Sequence, residues 1–230
     1  MISICTTFDE NYFRWGYPLI CSIFLNYPTE IYVNSINLSS RHIKQLKKLG
    51  IRLLVNYKPN DEKFSFECFA SKAETVLFAL KQTKQSAVAF IDADSLLEGS
   101  LDSFENKFVN FDFCVTKRDR GKEHLVFCSN NVVIRKNETC IRMVEEWISM
   151  IPKWKTDLPI SLSYAEQACL YLSYEKYKSH IKLLNALDAD LPIFHAKGCK
   201  YPNHKDFNIF NYDKRCNEII DRFKKSRKNV

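Results

Sequence analysis

Two carboxylates one residue apart, Asp92 and Asp94, close the apolar run Ala87 Val88 Ala89 Phe90 Ile91. Carboxylate oxygens are hard donors suited to Mg²⁺ or Mn²⁺, and a pair of them leaves coordination positions open for the oxygens of a diphosphate. The acid-x-acid pattern arises easily by chance, and Asp188 Ala189 Asp190 supplies a second copy. Context separates the two. Asp92 ends five strongly strand-forming residues, whereas Asp188 follows Leu183 Leu184 Asn185 Ala186 Leu187, and only Asp190 stands between it and the next strand-like segment. Two further segments carry groups able to work beside such a pair. Glu166, in Tyr164 Ala165 Glu166 Gln167 Ala168, opens a helical pattern, where an acid in the first turn is also favoured simply by the helix dipole. His195 ends the run Leu191 Pro192 Ile193 Phe194 and enters the basic stretch Ala196 Lys197 Gly198, which makes its imidazole a reasonable third ligand.

These residues need a scaffold that delivers them to one place. Segments 2–8, 30–36, 51–57 and 87–91 are rich in β-branched and apolar residues and predict strands. Segments 18–26, 40–49 and 67–82 between them predict helices, with Gly50 as a C-terminal stop. The order β-α-β-α-β-α-β predicts an α/β fold, with a mostly parallel central sheet flanked by helices and ligands bound beyond the carboxyl ends of its strands. Beyond the fourth strand the pattern becomes α+β: strands at 111–117 and 131–136, helices at 138–150 and 164–174, and a last short strand at 191–195. There is no internal repeat and no low-complexity linker. The expected organisation is a single domain over residues 1–205 followed by a basic helix or tail over 206–230.

At 230 residues, with 46% hydrophobic and 27% charged side chains, the chain has the length and composition of one folded domain rather than of a disordered protein. No apolar run approaches the roughly 20 residues of a membrane helix. The start lacks the basic and apolar regions of a secretory signal, so a soluble, cytoplasmic protein is expected. The nine cysteines form no Cys-x-x-Cys pair and mostly lie among apolar residues, which suits buried free thiols in a reducing compartment. Sequons at Asn37 and Asn137 point the other way but are short enough to occur by chance. Most of the net charge of +7 lies in residues 197–230, with ten Lys or Arg against four Asp or Glu. That end suits a solvated helix, or contact with phosphates or an acidic membrane surface.

The segment Phe90 Ile91 Asp92 Ala93 Asp94 Ser95 Leu96 Leu97 resembles the Asp-x-Asp segment of glycosyltransferases of the GT-A fold, which are nucleotide-diphospho-sugar transferases, and the glycogenin-like group in particular. Three later segments resemble that family's motifs in the same order. Cys128 Ser129 Asn130 Asn131 Val132 Val133 Ile134 is similar to a loop and strand lining the donor sugar, with Asn131 at a usual glycine position and able to tolerate left-handed backbone angles. Glu166 and Gln167 stand at the acidic motif facing sugar and acceptor. His195 to Gly198 is similar to a C-terminal histidine motif that completes the metal site.

The resemblance implies a metal held by Asp92, Asp94 and His195, with Asp94 and Glu166 as catalytic residues. It implies base and ribose contacts, largely through the backbone, at Thr6, Thr7, Phe8 and Asp9. Lys72, ahead of the main body of the third helix, resembles a lysine that approaches the donor. Lys197, Gly198 and Lys200 form the phosphate loop; Tyr201 separates Lys200 from Pro202, which leaves open which lysine reaches the phosphates. The implied reaction is displacement at an anomeric carbon with a nucleoside diphosphate leaving, aided by Mn²⁺ or Mg²⁺. A UDP-sugar is the first expected donor and a guanosine diphosphate sugar the second. The acceptor is a hydroxyl of a glycan, protein or small molecule. Glu166 is a general base if the enzyme inverts and a positioning group if it retains.

Other functions fit less of the chain. Aspartate-nucleophile phosphatases place their acid-x-acid pair after the first strand, and here three strands precede it. Sugar nucleotidyltransferases need a glycine-rich loop after the first strand, whereas the five glycines are Gly16, Gly50, Gly99, Gly121 and Gly198. A nucleic-acid-binding module could use the basic end with Tyr201, Phe207, Phe210 and Tyr212 as stacking surfaces. No nucleic-acid motif accompanies them, and no nucleic-acid partner is expected.

Overall fold

Apolar runs bounded by polar turns become strands, and longer amphipathic stretches become the helices that cover them. The computed structural model describes residues 1–58, 64–117, 126–153, 162–189, 191–195 and 209–228. The first half runs β1 (Ile2–Asp9), α1 (Phe13–Asn26), β2 (Ile31–Ile36), α2 (Ser40–Lys48), β3 (Arg52–Asn56), α3 (Phe64–Gln82) and β4 (Ala87–Ile91). The second continues with β5 (Ser95–Leu97), α4 (Asp102–Phe108), β6 (Phe113–Lys117), β7 (Phe127–Arg135), α5 (Glu138–Met150), α6 (Leu162–Tyr177), β8 (Leu183–Asn185), β9 (Ile193–His195) and α7 (Ile209–Lys228).

Seven strands form one sheet in the order β3-β2-β1-β4-β7-β6-β8. Only β7 runs against the others, pairing antiparallel with both β4 and β6. The sheet is therefore mostly parallel, as expected. A buried parallel strand needs apolar residues on both faces, and β4 supplies them. Ala87, Ala89 and Ile91 enter one core with β1 and α1, while Val88 and Phe90 enter the other with residues of α3, α5 and α6. From β1 the chain builds outward to β2 and β3, then returns to place β4 on the other side of β1. That reversal opens a crevice at the carboxyl ends of β1 and β4, the usual ligand position in such a sheet.

Several local expectations change. Helix α1 begins at Phe13 rather than at Pro18, which lies inside it. The buried face of Leu19, Ile20 and Ile23 outweighs the one hydrogen bond that proline removes. Gly16 lets α1 sit tightly on β1, since a Cβ there would lie 2.5 Å from the Phe8 ring. Gly50 ends its helical segment with φ +77°, as its position predicted. Strands β5 and β8 and helix α4 are too short to show a period and were not expected. The cysteines whose side chains are described, Cys5, Cys21, Cys114, Cys128, Cys140, Cys169 and Cys216, carry free thiols and are all buried. Both sequon asparagines are engaged locally: Asn37 donates to the Lys58 carbonyl, and Asn137 caps α5 by accepting from the Cys140 amide. Among the described residues, no helix is long and apolar enough to cross a membrane.

Candidate active site

Alternation along β4 decides where its carboxylate points. Asp92 continues the face of Val88 and Phe90, on which α3 and α6 pack, and meets a lysine there. Lys72 Nζ lies 2.8 Å from Asp92 Oδ1 and 4.0 Å from Glu166 Oε2. The ammonium also stands 5.5 Å from the centroid of the Phe90 ring. Lys72 lies well inside α3, not ahead of its body, because the helix already begins at Phe64. Glu166 is likewise deeper than a first-turn acid: α6 starts at Leu162, and the carboxylate is buried rather than solvated at a helix end. The dipole explanation therefore fails for Glu166, and a polar cluster replaces it. Ser129 Oγ donates to Glu166 Oε2 at 2.6 Å, and Trp147 Nε1, from α5, donates to the Glu166 carbonyl at 3.1 Å.

Burial pushes the Glu166 carboxyl up to about 7, against the pull of the Lys72 charge and the Ser129 hydrogen bond, with Asp92 and Cys128 adding to the rise. Lys72 moves the other way from an isolated buried amine. Burial opposes its charge, but Asp92 and Glu166 outweigh burial and hold it above the ordinary lysine range. A cation fixed between two carboxylates, one of them poised near neutrality, is an arrangement found where proton transfer or charge stabilisation is performed.

The segment expected to line the donor sugar is a strand throughout. Asn131 pairs with Ile91 inside β7, and the only non-glycine residue with positive φ among those described is Asn37. No left-handed turn is needed at Asn131. The irregularity appears instead towards β6, where the register passes from Val115 opposite Val132 to Thr116 opposite Cys128. Ser129, Asn130 and Asn131 thus lie in a bulge, a device that aims side chains out of a regular ladder. The Asn130 carbonyl accepts from the Asp92 amide at 2.9 Å and so fixes the end of β4.

The ends of the sheet differ in how well their polar groups are satisfied. Near the strand starts, Glu30 accepts from Thr83, Ser3, Tyr32 and the Lys84 amide. At the carboxyl ends, several buried side-chain oxygens have no hydrogen-bond partner among the described residues, including Thr6 Oγ1, Ser95 Oγ, Asn131 Oδ1, Glu166 Oε1 and Gln167 Oε1. Buried polar atoms are rarely left unsatisfied, so such a concentration marks a place built to meet something else.

The other expected residues distribute around this centre. Thr6 lies one residue beyond the Cys5–Phe90 pair, level with the end of β4. Thr7 Oγ1 donates to the Asn34 carbonyl, and Asp9 Oδ1 accepts from the Tyr12 amide. Phe8 turns its ring into the core against Phe13 and Gly16, which leaves only its backbone for a ligand. Asp94 is 7% exposed and directly precedes β5. Strand β9 pairs antiparallel with β5, setting His195 opposite Ser95, so the backbone brings the histidine beside the Asp-x-Asp turn from about 100 residues away in sequence. Lys197, Gly198 and Lys200 lie outside the described residues, as does Asp190. Asp188 is exposed in a short 3₁₀ turn after β8, far less enclosed than Asp94. Sequence reasoning missed the roles of Ser129 and Trp147: a serine within a longer motif and a tryptophan on a helix give no separate signal.

No family model matches the sequence, and no curated protein matches it. Solved structures do. The chain superposes on the apo form of the glycosyltransferase GlyE of Streptococcus pneumoniae TIGR4 with a TM-score of 0.58 and 13% identity, over 96% of this chain and 63% of that one. It superposes on the galactosyltransferase LgtC, crystallised with donor and acceptor sugar analogues, with a TM-score of 0.60 and 14% identity over 95% of each chain. An active-site mutant of LgtC gives 0.62 and 14%, again over 95% of each. The fold is the one these glycosyltransferases share. This chain therefore matches nearly the whole of LgtC but spans under two thirds of GlyE. The crevice beyond β1 and β4, with its unsatisfied oxygens and the Lys72–Asp92–Glu166 cluster, is the candidate active site of that fold here.

Carboxylate oxygens are donors of the kind a hard divalent cation takes. Asp92 and Asp94 offer carboxylate oxygens one residue apart, and the β5–β9 register carries the His195 backbone to the same turn. Among the described residues, no three His, Cys, Asp or Glu side chains are grouped as a metal cage. A two-carboxylate site would rely on the histidine and on a ligand's own oxygens for the rest.

Proposed function

We propose that the chain transfers a sugar from a nucleoside diphosphate, a UDP-sugar first, to a hydroxyl acceptor. The observation that carries this reading is the buried Lys72–Asp92–Glu166 cluster, set among unsatisfied oxygens where the carboxyl ends of β1 and β4 diverge. Backbone groups of Thr6 to Asp9 would receive the base and ribose. Asp92, Asp94 and His195 would hold Mn²⁺ or Mg²⁺, which when bound neutralises charge growing on the leaving diphosphate. Lys72 fixes the Asp92 carboxylate and presents positive charge beside the departing group, while Asn131 and Gln167 have oxygens free to orient sugar hydroxyls. Glu166 carries a carboxyl that exchanges its proton near neutral pH, so it serves as base towards an acceptor hydroxyl in an inverting reaction or positions the sugar in a retaining one. The enclosed free thiols favour a reducing, cytoplasmic setting.

Release of nucleoside diphosphate from UDP-sugars and guanosine diphosphate sugars, followed with and without Mn²⁺, tests the proposal. Turnover is expected on a nucleotide sugar and should vanish on exhaustive chelation, returning when metal is restored. Full turnover in chelator would remove the metal from the account. Release of phosphate from simple esters, with none of these donors consumed, would support phosphatase chemistry instead.

A further inference from the structure

Strand β7 and helix α6 meet around one carboxylate. Val132 and Ile134 of β7 face the core that holds residues of α3, α5 and α6. Strict alternation would turn Ser129, three residues before Val132, to the opposite face. Phe127 nevertheless enters the same core, five residues from Val132, so the bulge between them has shifted the alternation. Ser129 follows Phe127 on that side and is thereby aimed at α6, where its buried hydroxyl donates to Glu166 Oε2 at 2.6 Å. The carbonyl of the next residue, Asn130, accepts from the Asp92 amide at 2.9 Å. Consecutive residues of one bulge thus hold the Glu166 side chain and the Asp92 backbone, the two acidic residues that Lys72 joins.

The two oxygens of Glu166 are therefore unequal. Oε2 is engaged by Ser129 and stands 4.0 Å from Lys72 Nζ, whereas Oε1, also buried, has no hydrogen-bond partner among the described residues. Trp147 holds the carbonyl of the same residue at 3.1 Å, so the backbone and one carboxyl oxygen are fixed while the other is left to meet something else. We propose that Ser129 is a positioning residue for Glu166: by donating to Oε2 it sets the rotation of the carboxyl and makes Oε1 the atom that meets a substrate hydroxyl. This rests on the glycosyl-transfer reading, in which Glu166 is a catalytic residue. Ser129 supplies the proton of its own bond, so the proton that Glu166 exchanges is held at Oε1. The neutral carboxyl offers a donor there and the ionised one an acceptor, and a hydroxyl can answer either.

The test compares the full chain with its Ser129→Ala, Glu166→Ala and doubly substituted variants. Steady-state kinetics use the UDP-sugar that the parent consumes fastest, and melting temperatures check the fold. Ser129→Ala removes only a hydroxyl. Its kcat is expected to fall about tenfold, as for one lost hydrogen bond to a charged group, while KM for the nucleotide sugar stays within about twofold. Because Ser129 acts through Glu166, adding Ser129→Ala to a Glu166→Ala chain should change kcat by less than about twofold. A parent-like kcat in folded Ser129→Ala overturns the proposal. So does a rise in KM alone, which would make Ser129 a donor contact, or a full tenfold loss in the Glu166→Ala background, which would mean that Ser129 acts on another group. These results leave the glycosyl-transfer reading standing. A parent chain that consumes no nucleotide sugar overturns that reading and this inference with it.

Discussion

Asp94→Asn should lower nucleotide-sugar turnover about a thousandfold, since the contribution at stake is several kcal/mol of charge stabilisation on the leaving diphosphate. The substitution keeps the size of the side chain and removes its charge. Asp94 is 7% exposed and has little room to reorient, so an amide there presents one neutral oxygen where a carboxylate offered two charged ones. The fold should survive because the seven-stranded sheet does not pass through Asp94. Asp188→Asn is the matched control. Its side chain is exposed beyond β8, where substitutions usually change stability by less than about 0.5 kcal/mol. Steady-state turnover with melting temperatures for both variants checks the prediction, and the reverse ranking would move the site to the second acid-x-acid pair.

Lys72→Met should affect folding as well as turnover. Lys72 is almost enclosed, with Asp92 at 2.8 Å and Glu166 at 4.0 Å, and methionine fills the same volume without the charge. Removing one partner of a buried ion pair costs about 3–5 kcal/mol because the other is left uncompensated. For a chain of this size that is roughly 10 °C in melting temperature. The deficit should depend on pH in a definite direction. Glu166 already titrates near 7 when folded, against an ordinary value of 4.5, so the folded chain holds a proton that the unfolded chain has lost between those values. Stability from this group accordingly falls as pH rises through that window. Without Lys72 the carboxyl is pushed higher still, so the variant should lie furthest below the parent at pH 8 and approach it towards pH 5. Thermal melts of both proteins across that range check the sign; a deficit independent of pH would show that Lys72 does not compensate Glu166.

Much of this was legible in the chain because the relevant signals are local. The run ending at Ile91 reads as a doubly buried strand, and two acids at its carboxyl end fall where an α/β sheet binds ligands. The helix over 138–150 is readable from its periodicity and its Asn137 cap. The departures have physical causes. The helical pattern over 67–82 already takes in Lys72, and α3 extends it back only to Phe64, so the lysine belongs inside the helix and not ahead of it. Asn131 was assigned to a turn because bulges depend on pairing with a strand elsewhere, here β6, and leave no pattern of their own. The burial of Glu166 depends on Ser129 and Trp147, far off in sequence. The basic surface of α7 dominates its composition and hides the few inward residues, Tyr212, Cys216 and Phe223, that attach it to the domain.

The central claim is that the crevice beyond β1 and β4 binds a nucleoside diphosphate with a divalent cation. A thermal-shift panel of uridine, guanosine, adenosine and cytidine diphosphates, each with and without Mn²⁺, tests it most directly. A ligand present at a hundred times its dissociation constant stabilises the folded chain by about 2.7 kcal/mol. In a chain of this length that corresponds to roughly 5–10 °C. The account predicts such a shift for uridine diphosphate with Mn²⁺, with little or none for either alone, and its loss in Asp94→Asn. No shift with any of the four diphosphates at millimolar concentration in the presence of Mn²⁺, or an undiminished shift in Asp94→Asn, would contradict it.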